Sequence, residues 1–384
     1  MEFELSEEHK MVQSLVRDFV SDHLKPLERD LLGRAADQSD AAAALPPERE
    51  AELVRMVQAL GLWNAGVPEE FGGPGLDTLG TCLVEEELAQ TVVPFRFGDV
   101  SPVLFECNEE QRERYMEPAL RNEKQPRMAI FEPGDGDQAI PAATAELSDD
   151  DYILNGKKVS FGRAAEDFFA VVFARAAAGP TCFLVDKDTA GMNVSEHLEV
   201  TGWMAQLRQR FMFSFENCRV PGSNVLGKDG KAFHLGGKWL PLRRIVRGAR
   251  AVGTARRLLE EAAIQAGSFV SFGKSQNGRL NVQAALADIA VSVHGAALMV
   301  YEAAWKADIG KPVQQAAATV KLATSAMLQN VADRVSHVFN GPSFTRELPM
   351  ERLCRGILEE NIVSQAIKRQ RALIASDIMR GVRL

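Results

Sequence analysis

Twice along this chain the spacing of the apolar residues changes, and each change of period marks a change of secondary structure. Up to about residue 122 they recur every three to four positions, as on a helix with one buried face. Met11, Val12, Leu15, Val16, Phe19 and Val20 form one stripe. Leu53, Val54, Val57 and Leu60 form another, on a helix expected over Glu50–Leu60. The breaker-rich run Val67-Pro-Glu-Glu-Phe-Gly-Gly-Pro-Gly75 precedes a helix expected over about Thr78–Ala89. From about 124 to 228 the period falls to two. Tyr152–Leu154, Phe168–Ala174, Thr181–Val185 and Phe211–Phe215 read as strands between Gly, Pro, Asn and Asp. Phe211, Phe213 and Phe215 alternate with Met212 and Ser214, which describes a strand with two unlike faces. The spacing predicts a β-sandwich or small barrel of roughly 100 residues.

From about residue 229 the helical period returns. Ile245, Ala249, Val252, Leu259 and Ala262 make one stripe, and Val282, Leu286, Ile289, Val293, Ala297 and Val300 a second. Asn340-Gly-Pro-Ser343 interrupts the pattern before a last helical stretch near Met350. The expected fold class is therefore α+β and multidomain. An N-terminal helical domain (1–123) leads to a middle β-sandwich or barrel domain (124–228) and a C-terminal four-helix bundle (229–384). With 384 residues, 46% apolar and 25% charged, the chain can fill two or three cores.

A net charge of -8 argues against a nucleic-acid binder, which needs a concentrated basic face. The five cysteines, Cys82, Cys107, Cys182, Cys218 and Cys354, are scattered, and no CxxC or Cys/His spacing suggests a metal site. Apolar neighbours such as Phe183 and Leu353 point to buried thiols. No apolar run approaches the ~20 residues that cross a bilayer, so no membrane span is expected. The acidic start MEFELSEEHK is unlike a secretory signal, so a cytoplasmic protein is expected.

This order of domains resembles the acyl-CoA dehydrogenase family over essentially the whole chain. The resemblance rests on the Val67–Gly75 run and the Glu85-Glu86-Glu87 helix. It also rests on Ile130-Phe-Glu-Pro-Gly-Asp-Gly136, Leu154-Asn-Gly-Lys-Lys158, Cys218-Arg-Val-Pro221, Tyr301-Glu-Ala-Ala-Trp-Lys306 and Glu347-Leu-Pro-Met-Glu-Arg352. It implies an FAD flavoprotein, commonly a homotetramer, that desaturates an acyl-CoA thioester between Cα and Cβ. A carboxylate base takes the α-proton while a hydride leaves for the flavin.

Several positions depart from the family. Where most members carry a Glu-Gly pair, the ungapped run from Arg355 to Arg371 places Ser364-Gln365. A serine hydroxyl is a poor base unless another group activates it. Glu359 and Glu360 stand about one helical turn earlier and substitute only if the helix start is shifted. Some members carry the base elsewhere in the C-terminal bundle, but the matching residue here is Arg243. Its neighbour Arg244 matches an arginine common near the family's active site; a structural ion pair is the other reading. Arg247 and Arg250 share a face with Arg243, and are expected either to pair with Glu359 or Glu360 or to be solvated.

The flavin contacts differ too. The family's Thr-Glu-Pro is Phe131-Glu132-Pro133, and the serine that follows is Asp137. Ser160 replaces the usual Trp, and Gly162 a Thr or Ser. Toward a neighbouring subunit's FAD, the pattern Arg-x-x-Phe-Gly reads Phe269-Val-Ser-Phe272-Gly273, so its arginine is missing. Gln283, His337, Phe272 and Gly341 remain as candidates on that side, with Asn340 bulkier than the residue it replaces.

Such losses beside intact stripes suggest a chain whose fold is kept and whose own catalytic centre is gone. It is similar to the degenerate subunit of heteromeric members, in steroid side-chain degradation for example, paired with a catalytic homologue as a heterotetramer. Fatty-acid or steroid side-chain β-oxidation is then the setting. The alternatives are an active FAD-dependent acyl-CoA dehydrogenase with a relocated base, working as a homotetramer, or another flavin reaction. A protein that binds acyl-CoA without turnover is a further one.

Overall fold

The computed structural model describes residues 4–37, 45–98, 100–133, 141–162, 167–198, 209–235, 237, 239–268, 270–271, 274–339, 345, 349–363 and 366–382. Helices α1 (Glu7–Phe19), α2 (Glu28–Asp37), α3 (Pro47–Ala59) and α4 (Thr78–Leu88) come first, then the short α5 (Glu109–Gln111) and α6 (Glu117–Leu120). Strands β1 (Gln125–Ala129), β2 (Thr144–Ser148), β3 (Asp151–Gly162) and β4 (Phe168–Ala176) follow. After them come β5 (Gly179–Asp186), β6 (Met192–Leu198), β7 (Gln209–Pro221) and β8 (Val225–Leu226). Helix α7 (Leu240–Ser268) leads to the two-residue strands β9 (Val270–Ser271) and β10 (Lys274–Ser275). The chain then runs through α8 (Leu280–Asp308), α9 (Gln314–Phe339), α10 (Pro349–Val363) and α11 (Ala366–Met379).

The chain forms two compact units. A helical unit holds the chain up to Gly66, Pro74–Arg96 and everything from Pro241; a sheet unit holds Val67–Gly73 and Phe97–Leu240. In the helical unit, the expected stripe on α7 is its core face. Ile245, Ala249, Val252 and Ala262 are wholly buried, in one cluster with Ile289, Val293 and Val300 of α8 and Val320, Val331 and Val335 of α9. Each buried Val or Ile contributes about 1.5–3 kcal/mol. The stripe on α1 is narrower than its sequence suggests. Val12, Val16 and Phe19 are buried at i, i+4 and i+7, while Met11 and Leu15 flank that line and are exposed.

Capping fixes where these helices begin. Asp77 accepts the Gly80 N–H at 2.7 Å, and Asp308 at the end of α8 accepts those of Thr78 and Leu79 at 2.7 and 3.1 Å. Three otherwise unpaired donors of α4 are thereby satisfied.

Helix α8 is apolar on average although no apolar run in it reaches the length of a span. It is long and apolar enough, by length and composition, to cross a membrane, and 28% of its most apolar stretch is buried. Asp288 interrupts that stretch. Leu280, Val291, Leu298, Met299 and Trp305 lie exposed along it.

In the sheet unit the described strands form one eight-stranded mixed sheet in the order β6-β7-β3-β2-β4-β5-β8, with β1 also beside β4. Strand β1 runs parallel to β4 at Phe168–Val172, and β2 meets the same edge at Arg175. Strand β4 is buried on both faces. Phe169, Val171 and Phe173 face Leu104, Tyr115 and Met116 from the segment before the sheet. Ala170, Val172 and Ala174 face a second core with Phe183 of β5 and Phe213 and Phe215 of β7. Strands far apart in the order share that core, so the sheet curls around it, in keeping with the expected sandwich or barrel. The helical residues just before 123 pack on this sheet.

Candidate functional site

In the sheet unit, the Phe131-Glu132-Pro133 segment is held by strand β3. The Val159 N–H donates to the Phe131 carbonyl at 2.8 Å. Glu132 accepts from the N–H groups of Ala142 and Ala143 at 2.9 and 2.8 Å, and from Lys158 Nζ at 2.8 Å. Lys158 is fully buried and Glu132 is 8% exposed. Burial alone would raise the Glu132 carboxyl. The Ala143 N–H, the Lys158 ammonium and the Ala142 N–H outweigh it and hold the carboxyl below its ordinary range. The role of Glu132 and Lys158 is thus to pin both ends of the 133–141 segment, which contains Asp137 and lies largely outside the described residues.

The Asn155-Gly156 pair is also structural. Asn155 Oδ1 accepts the Asn217 N–H at 2.8 Å, and the β3–β7 register shifts between Leu154 and Gly156. Gly156 has φ 137°, and a Cβ there would lie 2.8 Å from Ala143 Cα, so only glycine fits the bulge.

Ser160 stands directly across from Phe211 on β7. It is fully buried, and its hydroxyl has no hydrogen-bond partner among the described residues. Arg127, itself buried, lies over the Phe211 ring at 4.5 Å. The position that the resemblance assigns to an aromatic platform therefore presents neither a ring nor a solvent-exposed hydroxyl. Phe131 is 54% exposed, with no hydroxyl for a flavin ring. These residues do not fit the ring of an FAD bound by this chain as the family binds it. Among the described residues no group of His, Cys, Asp or Glu is arranged to hold a metal ion. Four cysteines are buried and Cys354 is half-buried.

In the helical unit, the three acids of α4 each hold an arginine. Glu85 accepts from Arg250 Nε at 2.9 Å and also from its Nη2. Glu86 lies 2.7 Å from Arg256 and accepts the Tyr301 hydroxyl at 2.7 Å. Glu87 accepts from Arg17 at 2.8 Å and from Gln90 at 2.7 Å. Burial raises the Glu86 carboxyl despite Arg256 and Tyr301. Nearby, Arg257 reaches Glu28 at 2.9 Å and Glu261 at 2.8 Å. Arg250 thus has Glu85 as a partner, which no sequence spacing indicates, while the expected pairing with Glu359 or Glu360 rests on side chains outside the described residues. A Cβ on Gly253 would lie 2.0 Å from the Glu86 carbonyl oxygen.

Sequence reasoning missed this clamp. Its signal was three consecutive acids in one segment and an acid-free arginine run, Arg243 to Arg257, in another.

The remaining candidates are spread out. Arg244 is half-buried on α7, and burial pushes its guanidinium below the ordinary arginine range. Gln283, exposed in the first turn of α8, donates to the Asn277 carbonyl at 2.7 Å. His337, exposed in the last turn of α9, lies 3.9 Å from Asp333. Ser364, Gln365, Phe272, Gly273, Asn340 and Gly341 lie outside the described residues. Glu359 and Glu360 belong to α10, and their side chains also lie outside them.

Comparison with known proteins adds three family matches in chain order. These are acyl-CoA dehydrogenase, N-terminal domain, over residues 6–123, middle domain over 128–218, and C-terminal domain over 233–379. The chain is 31% identical over 398 residues to (R)-benzylsuccinyl-CoA dehydrogenase of Thauera aromatica, covering 99% of this chain and 97% of that one. It is also 31% identical over 393 residues to the mitochondrial short-chain specific acyl-CoA dehydrogenase of Homo sapiens, covering 99% and 92%. Butyryl-CoA dehydrogenase from Megasphaera elsdenii superposes with a TM-score of 0.82 at 25% identity, over 99% of this chain and 100% of that one.

Proposed function

Since this chain belongs to the acyl-CoA dehydrogenase family, we propose that it is the non-catalytic or half-site subunit of a cytoplasmic hetero-oligomer. Its partner is a catalytic, FAD-binding homologue, and the pair serves acyl-CoA β-oxidation of fatty-acid or steroid side chains. The observation that carries the reading is Ser160. The buried hydroxyl, without a partner among the described residues, stands where a flavin-binding chain needs an aromatic face. Ser364 at the usual base position agrees with it. The exposed apolar residues of α8 supply what assembly needs, since a face of that kind is stable only when another chain covers it.

The test is the visible spectrum of the chain purified alone with excess FAD, then co-purified with a homologue encoded beside it. The expected result is a colourless chain alone and a yellow complex with fewer than one flavin per chain. One flavin per chain in the isolated protein sinks the reading.

A second reading is favoured by the whole-length relatives, whose names describe dehydrogenases. In it the chain is itself an FAD-dependent acyl-CoA dehydrogenase, with Glu359 or Glu360 as base. Loss of turnover in Glu359→Gln or Glu360→Gln, with flavin retained, distinguishes it.

A further inference from the structure

We propose that Arg127 and Phe211 fill this chain's own flavin-ring site, so that the ring is excluded by packed side chains as well as by lost contacts. The inference rests on the subunit reading above and deepens it by naming what closes the site. Ser160 on β3 and Phe211 on β7 are direct cross-strand partners, so their side chains leave the sheet on one face. That face is the inner one, because Phe213, two residues along β7, belongs to the core with Ala170, Val172 and Phe183. Arg127 of β1 is 3% exposed, and its guanidinium lies 4.5 Å from the centre of the Phe211 ring and 5.7 Å from that of Phe168. Strand β1 is held there by its parallel pairing with β4, and the segment after it by the bond from the Val159 N–H to the Phe131 carbonyl.

A serine where an indole is expected leaves a void unless neighbours take up the room, since protein interiors are close-packed. Arginine is an uncommon residue to bury so fully, and stacking on aromatic faces is one of the few ways its guanidinium is accommodated. The Ser160 hydroxyl carries the complementary sign. It is fully buried and has no hydrogen-bond partner among the described residues, so burying it opposes folding. Position 160 therefore suits serine for its size and not for its hydroxyl. A larger side chain there would run into the Phe211 ring and the guanidinium beyond it. A flavin ring needs a flat face open to it, and here the face beside Ser160 is already covered by a cation.

The test uses the full chain as wild type, Ser160→Trp, Arg127→Ala and the double variant. Each is unfolded in urea, and each is titrated with lumiflavin, the bare isoalloxazine ring, followed by quenching of its fluorescence. Lumiflavin carries no phosphate, so contacts missing on the pyrophosphate side do not enter the reading. Both single substitutions are expected to lower the urea midpoint, Ser160→Trp by overpacking and Arg127→Ala by leaving a void. The double variant is expected to lose less than the sum of the two, because the indole takes the room that the guanidinium gives up. If Ser160→Trp alone does not fold, a folded double variant carries the same result. The double variant is also expected to bind lumiflavin at least tenfold more tightly than the wild type.

Additive losses overturn the proposal, as does a double variant that does not fold or that binds lumiflavin no better than the wild type. The subunit reading fails separately. A wild type that stays colourless with FAD, together with additive losses, strikes the filled site alone, whereas one flavin per isolated wild-type chain strikes both.

Discussion

Lys158 and Glu132 are buried together in the sheet unit, and each makes the other's charge tolerable there. Lys158→Met leaves the carboxylate without its ammonium and is expected to lose about 3–5 kcal/mol in urea denaturation. Lys158→Met/Glu132→Leu, which removes both charges, is expected to recover most of that. The same pair has a pH signature. The Glu132 carboxyl is held below its unfolded value, so its contribution is present above that value, about 4.3, and fades as pH falls through the lower folded one. Melting curves from pH 7 to pH 3 should therefore show the gap between wild type and Glu132→Gln closing with acid. A gap that widens with acid would contradict the assignment. Glu86 runs the other way: burial raises its folded value, so its ionisation opposes folding as pH rises through that value.

The paired helices α4 and α7 are drawn together by backbone proximity as well as charge. Gly253→Ala would push a Cβ to 2.0 Å from the Glu86 carbonyl oxygen. Backbone cannot yield as a flexible side chain does, so a loss of about 1–3 kcal/mol is expected in urea titration. On α8, Val291→Arg should lower the mass measured by light scattering while leaving the far-ultraviolet helical signal intact. An unchanged mass would remove α8 from the assembly argument.

Much at this scale was legible in advance. Ile245, Ala249 and Val252 fall in register because a helix burying one face leaves a period in its own sequence. Alternation along Phe211–Phe215 revealed the strand for the same reason. The site was less legible. Glu85 and Arg250 meet across 165 positions, and no local period records a partner so distant. Ser160 could be seen to replace an aromatic residue, but its complete burial follows only from the curl of the sheet.

The molecule as a whole is a sheet unit inserted into a helical one. The segment Phe97–Leu240 is continuous and holds nearly all of the sheet unit, which adds only Val67–Gly73. Expressed alone, it is expected to give a β-type circular dichroism spectrum and a cooperative melt. Its stability should be reduced by the loss of the stack between Phe71 and Phe105, whose rings lie 4.5 Å apart. A random-coil spectrum would show that the sheet needs its flanking helices. The helical unit has no such continuous fragment, because Glu28, Glu85 and Glu86 lie on one side of the insertion and their partners Arg257, Arg250 and Arg256 on the other. That separation sets an order of events on the ribosome. At about 5–20 residues per second, these three acids are made roughly ten or more seconds before the arginines of α7 leave the exit tunnel. During that interval Glu28, Glu85 and Glu86 lack their ion partners and the early helices lack the apolar floor of α7–α9, while the sheet segment is free to fold. Newly made chain is therefore most exposed to chaperones and proteases at its first helices, even though these end up among the best-tied parts of the finished protein.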